Sequence, residues 1–342
     1  MKNVRFITLE SVVATFAVVV LHTNGVFWNF STEHYWFTAN IIECLFYFSV
    51  PIFFMITGAT LLDYDDRYST KVFFIKRLKK TFIPFIAWSL IGVVYLIVMN
   101  RIGLNEITFK YLFYGITKTT IVNLYWFFPP LFCVYLSIPL IAAVKKEKKQ
   151  SIYLYTSIIC FICNICIPFV INVFKIDYKF SISVSVGSGY LLYVLIGYLL
   201  SYNDLELKQR IIVYFLGLFG LLVHIMGTYK LSIEAGTIIR TFKGYNNVPC
   251  IMYSIGIFVL IKIIAEKISS EHFWKIINFL GKYTFSVYLM QWFIMDFVTH
   301  KFSEINIYSM WYRLGTPILI YLICVIITIV LRKIPILKKI VP

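Results

Sequence analysis

The sequence predicts an all-α fold, a polytopic membrane helix bundle of about ten transmembrane helices. Three observations predict it. Of 342 residues, 60% are hydrophobic and only 14% charged, against roughly 25% charged in an ordinary soluble domain. The mean hydropathy is +0.82. The apolar residues come in continuous runs of about 20, the length of helix that crosses a hydrocarbon core. They do not alternate as barrel strands do. A soluble fold of this length lacks the interior to hide so much apolar surface.

Ten runs qualify: 6–28, 38–62, 82–100, 122–144, 151–174, 183–202, 211–229, 246–265, 276–298 and 311–331. The first follows Lys2 and Arg5, as in a secretory signal. It is too long for one, has no A-x-A cleavage pattern and is followed by further spans, so a retained first helix is expected. The longest polar stretch runs from Tyr64 to Thr81, and no soluble domain is expected at either end. The chain therefore reads as one membrane domain over 1–342.

Net charge is +16, from 32 basic and 16 acidic residues. The basic residues fall between apolar runs, which argues for membrane topology and against nucleic acid as a partner. With the N-terminus inside, cytoplasmic segments collect 22 of the 32 Lys and Arg. A multi-pass cell-membrane protein with both termini cytoplasmic is expected. Seven cysteines, an odd number mostly inside apolar runs, argue against a disulfide framework. Cys160, Cys163 and Cys166 lack the fourth partner of an iron–sulfur run and read as small residues on a helix face. No His/Cys cluster of zinc type, phosphate-binding loop or nucleophile elbow is present, so no metal site is expected.

Ionisable groups inside a membrane are costly, which makes each one a functional candidate. His22, in VVVLHTNG, suits a general base at neutral pH, and equally a structural histidine bonded to a neighbouring helix. Glu10 lies about 18 Å from it along the same helix and cannot be its partner. Glu43, in the second span, is better placed to approach a polar group on the first, or else is a buried structural carboxyl kept neutral or hydrogen-bonded. The segment KVFFIKRLKKTFIPFIAW (71–88) crowds five basic residues before Pro84. It is either a topological and lipid-headgroup face or a phosphate-gripping patch for a polyanionic donor. Arg77, with Lys80 beside it, is the candidate there because guanidinium holds phosphate bidentately. Trp126, in NLYWFFPPLF, belongs either to an interfacial aromatic belt or to the lining of an acceptor site. The glycines of GSG at 187–189 mark a helix boundary or a close-packing position. His224 and Asp296 have no partner that the sequence reveals.

Several of these stretches together resemble the acyltransferase 3 family, ten-helix bacterial membrane proteins that O-acylate surface polysaccharides. They are AVVVLHTNG around His22, SVPIFFMITGATLL (49–62), FFIKRLKKTFIPF with Arg77, LYWFFPPLFCVYLSIPLI (124–141) and GKYTFSVYLMQWFI (281–294). The second and fourth are the most specific, since their residue order goes beyond general hydrophobicity. The resemblance runs from about residue 5 to 331. It implies transfer of an acyl group, commonly acetyl from acetyl-CoA as a donor substrate, to a hydroxyl of a glycan or lipid-linked glycan, with His22 as base or acyl relay. Glu43, by its place in the second span, is the other catalytic candidate, and Trp126, Tyr288 and Gln291 are the candidates to line the acceptor site. No tightly bound cofactor is implied. Membrane lipids and other polysaccharide-synthesis proteins are the implied partners. Three positions depart from the family pattern: Ser11 and Tyr47 stand where arginines are usual, and Gln291 where the YL-x-H element has histidine. Glutamine hydrogen-bonds but takes no proton at neutral pH. The departures leave a second function open, a non-enzymatic member that aids polysaccharide export or assembly.

Overall fold

A computed structural model describes residues 2–302, 304–335 and 337–341, with side chains from Arg5 onward. The described residues form helices and connecting segments, with no strand among them. In chain order the helices are α1 (Lys2–Thr23), α2 (His34–Phe46), α3 (Ser49–Leu61), α4 (Thr70–Arg77), α5 (Ile83–Val98), α6 (Phe109–Thr117), α7 (Phe128–Ala142), α8 (Lys146–Cys160), α9 (Ile167–Val173), α10 (Leu191–Tyr202), α11 (Leu207–Ala235), α12 (Val248–Lys267), α13 (Glu271–Gly281), α14 (Thr284–Lys301) and α15 (Met310–Leu331). Among the described residues, eight helical stretches are long and apolar enough to cross a membrane, and α10 is a shorter apolar helix.

Two of these stretches are spliced from shorter helices by a π-helical turn, Leu78–Phe82 between α4 and α5, and Phe161–Cys166 between α8 and α9. Each turn ends two residues before a proline, Pro84 and Pro168. Proline has no N–H to donate and its ring crowds the carbonyl four residues back, so the ladder widens locally instead of breaking. The second turn is tied down from outside. The Asn164 side chain donates to Val184 O at 2.7 Å and accepts from Val184 N at 2.8 Å.

Three expected spans differ from the observed helices. Span 183–202 is helical only from Leu191. Its first part, SVSVGSG (183–189), alternates small polar with β-branched residues and holds Gly187 and Gly189 at positive φ, 78° and 59°. Such backbone suits turns and extended chain rather than helix. Span 276–298 is interrupted after Gly281 and divides between α13 and α14, neither of which is among the eight stretches long and apolar enough to cross a membrane. Span 38–62 is two helices, α2 and α3, separated by Tyr47 and Phe48.

The helices divide into two compact units. Unit 1 holds residues 1–62, 143–281 and 306–317. Its helices meet backbone to backbone at glycines. A Cβ on Gly58 of α3 would strike the Val194 carbonyl of α10, and one on Gly197 would strike Met55. Small residues let helices approach this closely where no hydrophobic effect drives them together. Phe6 of α1 packs edge-on against Phe258 of α12, centroids 5.9 Å apart. Two buried lysines cap helix ends. Lys149 Nζ donates to Leu62 O just past α3 at 2.8 Å, and Lys262 Nζ to Leu200 O of α10 at 2.9 Å, where the helix dipole favours a cation.

Unit 2 holds residues 63–142, 282–305 and 318–342. Phe85, Tyr125, Phe128 and Phe132 form its aromatic centre. Asp296 of α14 accepts from Tyr95 Oη at 2.7 Å and from Arg101 at 2.8 Å, which supplies the partners its sequence left open. That hydrogen bond raises the affinity of the Arg101 guanidinium for its proton. Trp88 Nε1 donates to Ile340 O at 2.9 Å and so ties the chain's last segment to α5.

Candidate functional site: a buried charge centre in unit 1

α1 ends at Thr23, and His22 stands half-buried in its last turn. The chain immediately beyond is held from several directions. The Thr23 hydroxyl reaches Arg313 O at 3.2 Å, and the Asn24 side-chain amide donates to Ala39 O of α2 at 2.8 Å. Trp36 Nε1 donates to Phe27 O at 2.8 Å, with its ring stacked on Phe27. These contacts set the end of α1 against α2, where Glu43 is 2% exposed and Asn24 lies beside its carboxyl.

The main partner of Glu43 is Lys243, in the segment between α11 and α12. Its Nζ donates to Glu43 Oε1 at 3.1 Å, with both side chains almost completely buried. Aromatic rings surround the ammonium: Tyr47 with its centroid 3.7 Å away, Phe27 at 4.7 Å and Trp28 at 5.4 Å. Electron-rich ring faces attract a desolvated cation. Tyr47 in turn stacks flat on Tyr245, centroids 4.2 Å apart and planes 3° from parallel. Tyr245 is fixed through its carbonyl by the Tyr193 hydroxyl. Burial pushes the Tyr245 hydroxyl up, so it stays a neutral phenol.

Two more groups complete the centre. His224 of α11 is buried with its ring 5.3 Å from Tyr47, and neither ring nitrogen has a hydrogen-bond partner among the described residues. Glu43 Oε2 is likewise without a partner. Arg313 of α15 is 1% exposed, and its guanidinium reaches neutral acceptors: Thr38 Oγ1 at 2.8 Å, Tyr35 O at 3.3 Å and Asn24 Oδ1 at 3.5 Å. The centre thus joins two buried cations, one carboxylate and a histidine close to the helix end that bears His22.

The residues singled out in the sequence divide between the units. His22 and Glu43 lie in unit 1. Arg77, Lys80, Trp126, Tyr288 and Gln291 lie in unit 2. There the Arg77 guanidinium stands 5.8 Å from the Phe73 ring and 5.6 Å from Tyr135, with Nε buried and unpartnered. Lys80 is exposed on the π-helical turn. Tyr288 of α14 meets the 3₁₀ turn that carries Trp126. Its hydroxyl donates to Leu124 O at 2.6 Å, while Tyr125 donates to Leu289 O at the same distance. Gln291 is buried and donates back to Tyr288 O at 3.3 Å. Of the departures in unit 1, Ser11 spends its hydroxyl on Ile7 O at 2.9 Å, whereas Tyr47 is the ring on which Lys243 rests.

Sequence reasoning missed Lys243, Arg313 and Asn24. Lys243 and Arg313 read as outer-side basic residues, and no local pattern marks either as buried. The one available signal is Arg-x-x-Lys directly before an apolar run on the side poor in basic residues. Among the described residues no group of three or more His, Cys, Asp or Glu could hold a metal ion.

This is the arrangement of a multi-pass helical membrane protein with a few interlinked polar residues in an apolar scaffold. A family model described as an acyltransferase domain matches residues 12–331. The chain belongs to the acyltransferase 3 family, and the match supports acyltransferase activity in general. No curated protein and no solved structure matches it.

Proposed function

We propose that the protein is an O-acyltransferase of the cell membrane. It moves an acyl group, acetyl in the simplest case, from acyl-CoA to a hydroxyl of a cell-envelope or extracellular polysaccharide or its lipid-linked precursor. The observation that carries this reading is His22, half-buried at the end of α1, two residues before the Asn24 that lies at the buried Glu43 carboxyl, in a chain whose family match spans 12–331. His22 takes the proton of the acceptor hydroxyl as its oxygen attacks the thioester carbonyl. The C–S bond then breaks, CoA leaves as thiolate and recovers the proton from the imidazolium. Glu43 supplies counter-charge to that imidazolium. Arg77 and Lys80 are the candidates to hold the donor's phosphates, and Trp126, with Tyr288 and Gln291 packed behind the turn that carries it, is the candidate for the acceptor side. Both termini are cytoplasmic in this reading, in keeping with the loop charges.

The test compares the acyl content of the surface polysaccharide by NMR in cells carrying wild type, His22→Ala or no copy. Removal of a general base lowers transfer by roughly 10²–10⁴-fold. Equal acylation with wild type and His22→Ala would show that His22 is not catalytic. Loss of the polysaccharide outside the cell, with full acylation of what remains, would favour the export reading.

A further inference from the structure

The Lys243–Glu43 pair poses a question the proposed reaction does not answer. A lysine from an interhelical segment is buried to 3% exposure in a chain where charge is scarce. Removing two charges from water is expensive, and a pair of leucine-like residues would pack there at less cost. The geometry is also asymmetric. Lys243 engages one carboxylate oxygen, Oε1, and leaves Oε2 buried without a partner. A pair serving packing alone gains most by satisfying both oxygens.

Everything around Lys243 restrains where its ammonium can go. Three rings, Phe27, Trp28 and Tyr47, wall it in. Arg240, three residues earlier, sits over the other partner ring, its guanidinium 4.8 Å from Trp28. Asn247, four residues later, fixes the end of the same segment by donating to Thr241 O at 2.8 Å and accepting from Val248 N at 2.9 Å. Tyr245 is held between the Tyr47 ring and the Tyr193 hydroxyl. The segment is built to deliver one cation to one carboxylate oxygen. The charged and titratable groups that act on that carboxylate are Lys243 and Tyr245 from this segment and Tyr47 and Cys44 from α2 and its end, while Cys250 of α12 and His224 of α11 sense the Lys243 ammonium.

We propose that Lys243 is a positioning residue for the acyl-transfer centre: it holds Glu43 through Oε1 and so fixes where Oε2 stands for the reacting groups. This inference rests on the reading of His22 and Glu43 as the transfer centre. Lys243 acts through Glu43 and touches no substrate. Its contribution therefore vanishes when Glu43 loses its charge, which a purely structural lysine would not do.

The experiment scores acyl groups on the extracted polysaccharide per molecule of protein in the membrane, so that abundance does not enter. Wild type against His22→Ala first establishes transfer, and absence of any difference there overturns the functional reading itself. With transfer established, Lys243→Met lowers it by roughly tenfold or more, and Lys243→Arg, which keeps the cation, restores most of it. Lys243→Met with wild-type transfer overturns the inference and leaves the reaction standing. Should Lys243→Met not reach the membrane, the pair Glu43→Gln and Glu43→Gln/Lys243→Met decides, since neither strands a carboxylate. Equal residual transfer in these two supports action through Glu43, and a further loss in the double variant overturns it.

Discussion

Units 1 and 2 handle polar groups in opposite ways. In unit 1, charge meets charge inside the protein: Lys243 on Glu43, with Arg313 fully buried beside Asn24. In unit 2 the buried polar side chains mostly bond to backbone, as Tyr288 does with Leu124 and Tyr125 with Leu289. Its ion pair, Arg101 with Asp296, is partly exposed, and its other cations lie at the surface, as Lys79 and Lys80 do, or against aromatic rings, as Arg77 does. The difference teaches where each can act. A buried side-chain network has fixed geometry and strong local fields, which suits chemistry. A basic face with exposed apolar neighbours such as Leu78 and Phe82 suits capture of phosphate at a lipid boundary.

The largest effect is expected where the comparison is sharpest. Lys243→Met leaves the Glu43 carboxylate uncompensated and should cost about 3–5 kcal/mol, read as a fall in melting temperature of the detergent-solubilised protein. The double variant Lys243→Met/Glu43→Gln should recover much of that loss. If it does not, the pair is not an energetic unit and the contrast between the units weakens.

A smaller effect belongs to unit 2. Arg77→Ala should weaken acyl-CoA binding by about 1.5–3 kcal/mol, the range for a charged hydrogen bond, with little change in melting temperature. Arg77→Lys should restore insertion fully and binding partly. A drop in stability without a drop in binding would make Arg77 a packing residue like those of unit 1. The smallest effect is Tyr288→Phe, which removes one hydroxyl-to-carbonyl bond and should cost about 0.5–1.5 kcal/mol in the same melting assay. A larger cost would extend side-chain coupling in unit 2 beyond Tyr95, Asp296 and Arg101.

How much of this was legible in the sequence follows the same divide. Hydropathy found the spans because twenty apolar residues admit few alternatives in lipid. It failed at 183–190, where apolar content was right but Ser, Val and Gly with positive φ do not make helix. His22 and Glu43 stood out as ionisable residues within apolar runs. Lys243 did not, because nothing local distinguishes a lysine at the mouth of a span from one folded back into it. Tyr47 looked like polarity lost relative to the family pattern. Its ring instead receives a cation from residue 243, a relation between distant positions that no single stretch can carry. The glycine contact of α3 with α10 was hidden for the same reason, since Gly58 and Gly197 gain meaning only when paired.

The separation of Glu43 and Lys243 by 200 residues also bears on biosynthesis. At about 5–20 residues per second, the ribosome reaches Lys243 roughly 10–40 s after Glu43. Throughout that interval α2 enters the bilayer with an acid whose partner does not yet exist. Unit 1 can therefore form this pair only after the segment following α11 has been made, and a chain stalled before residue 243 holds Glu43 without its lysine.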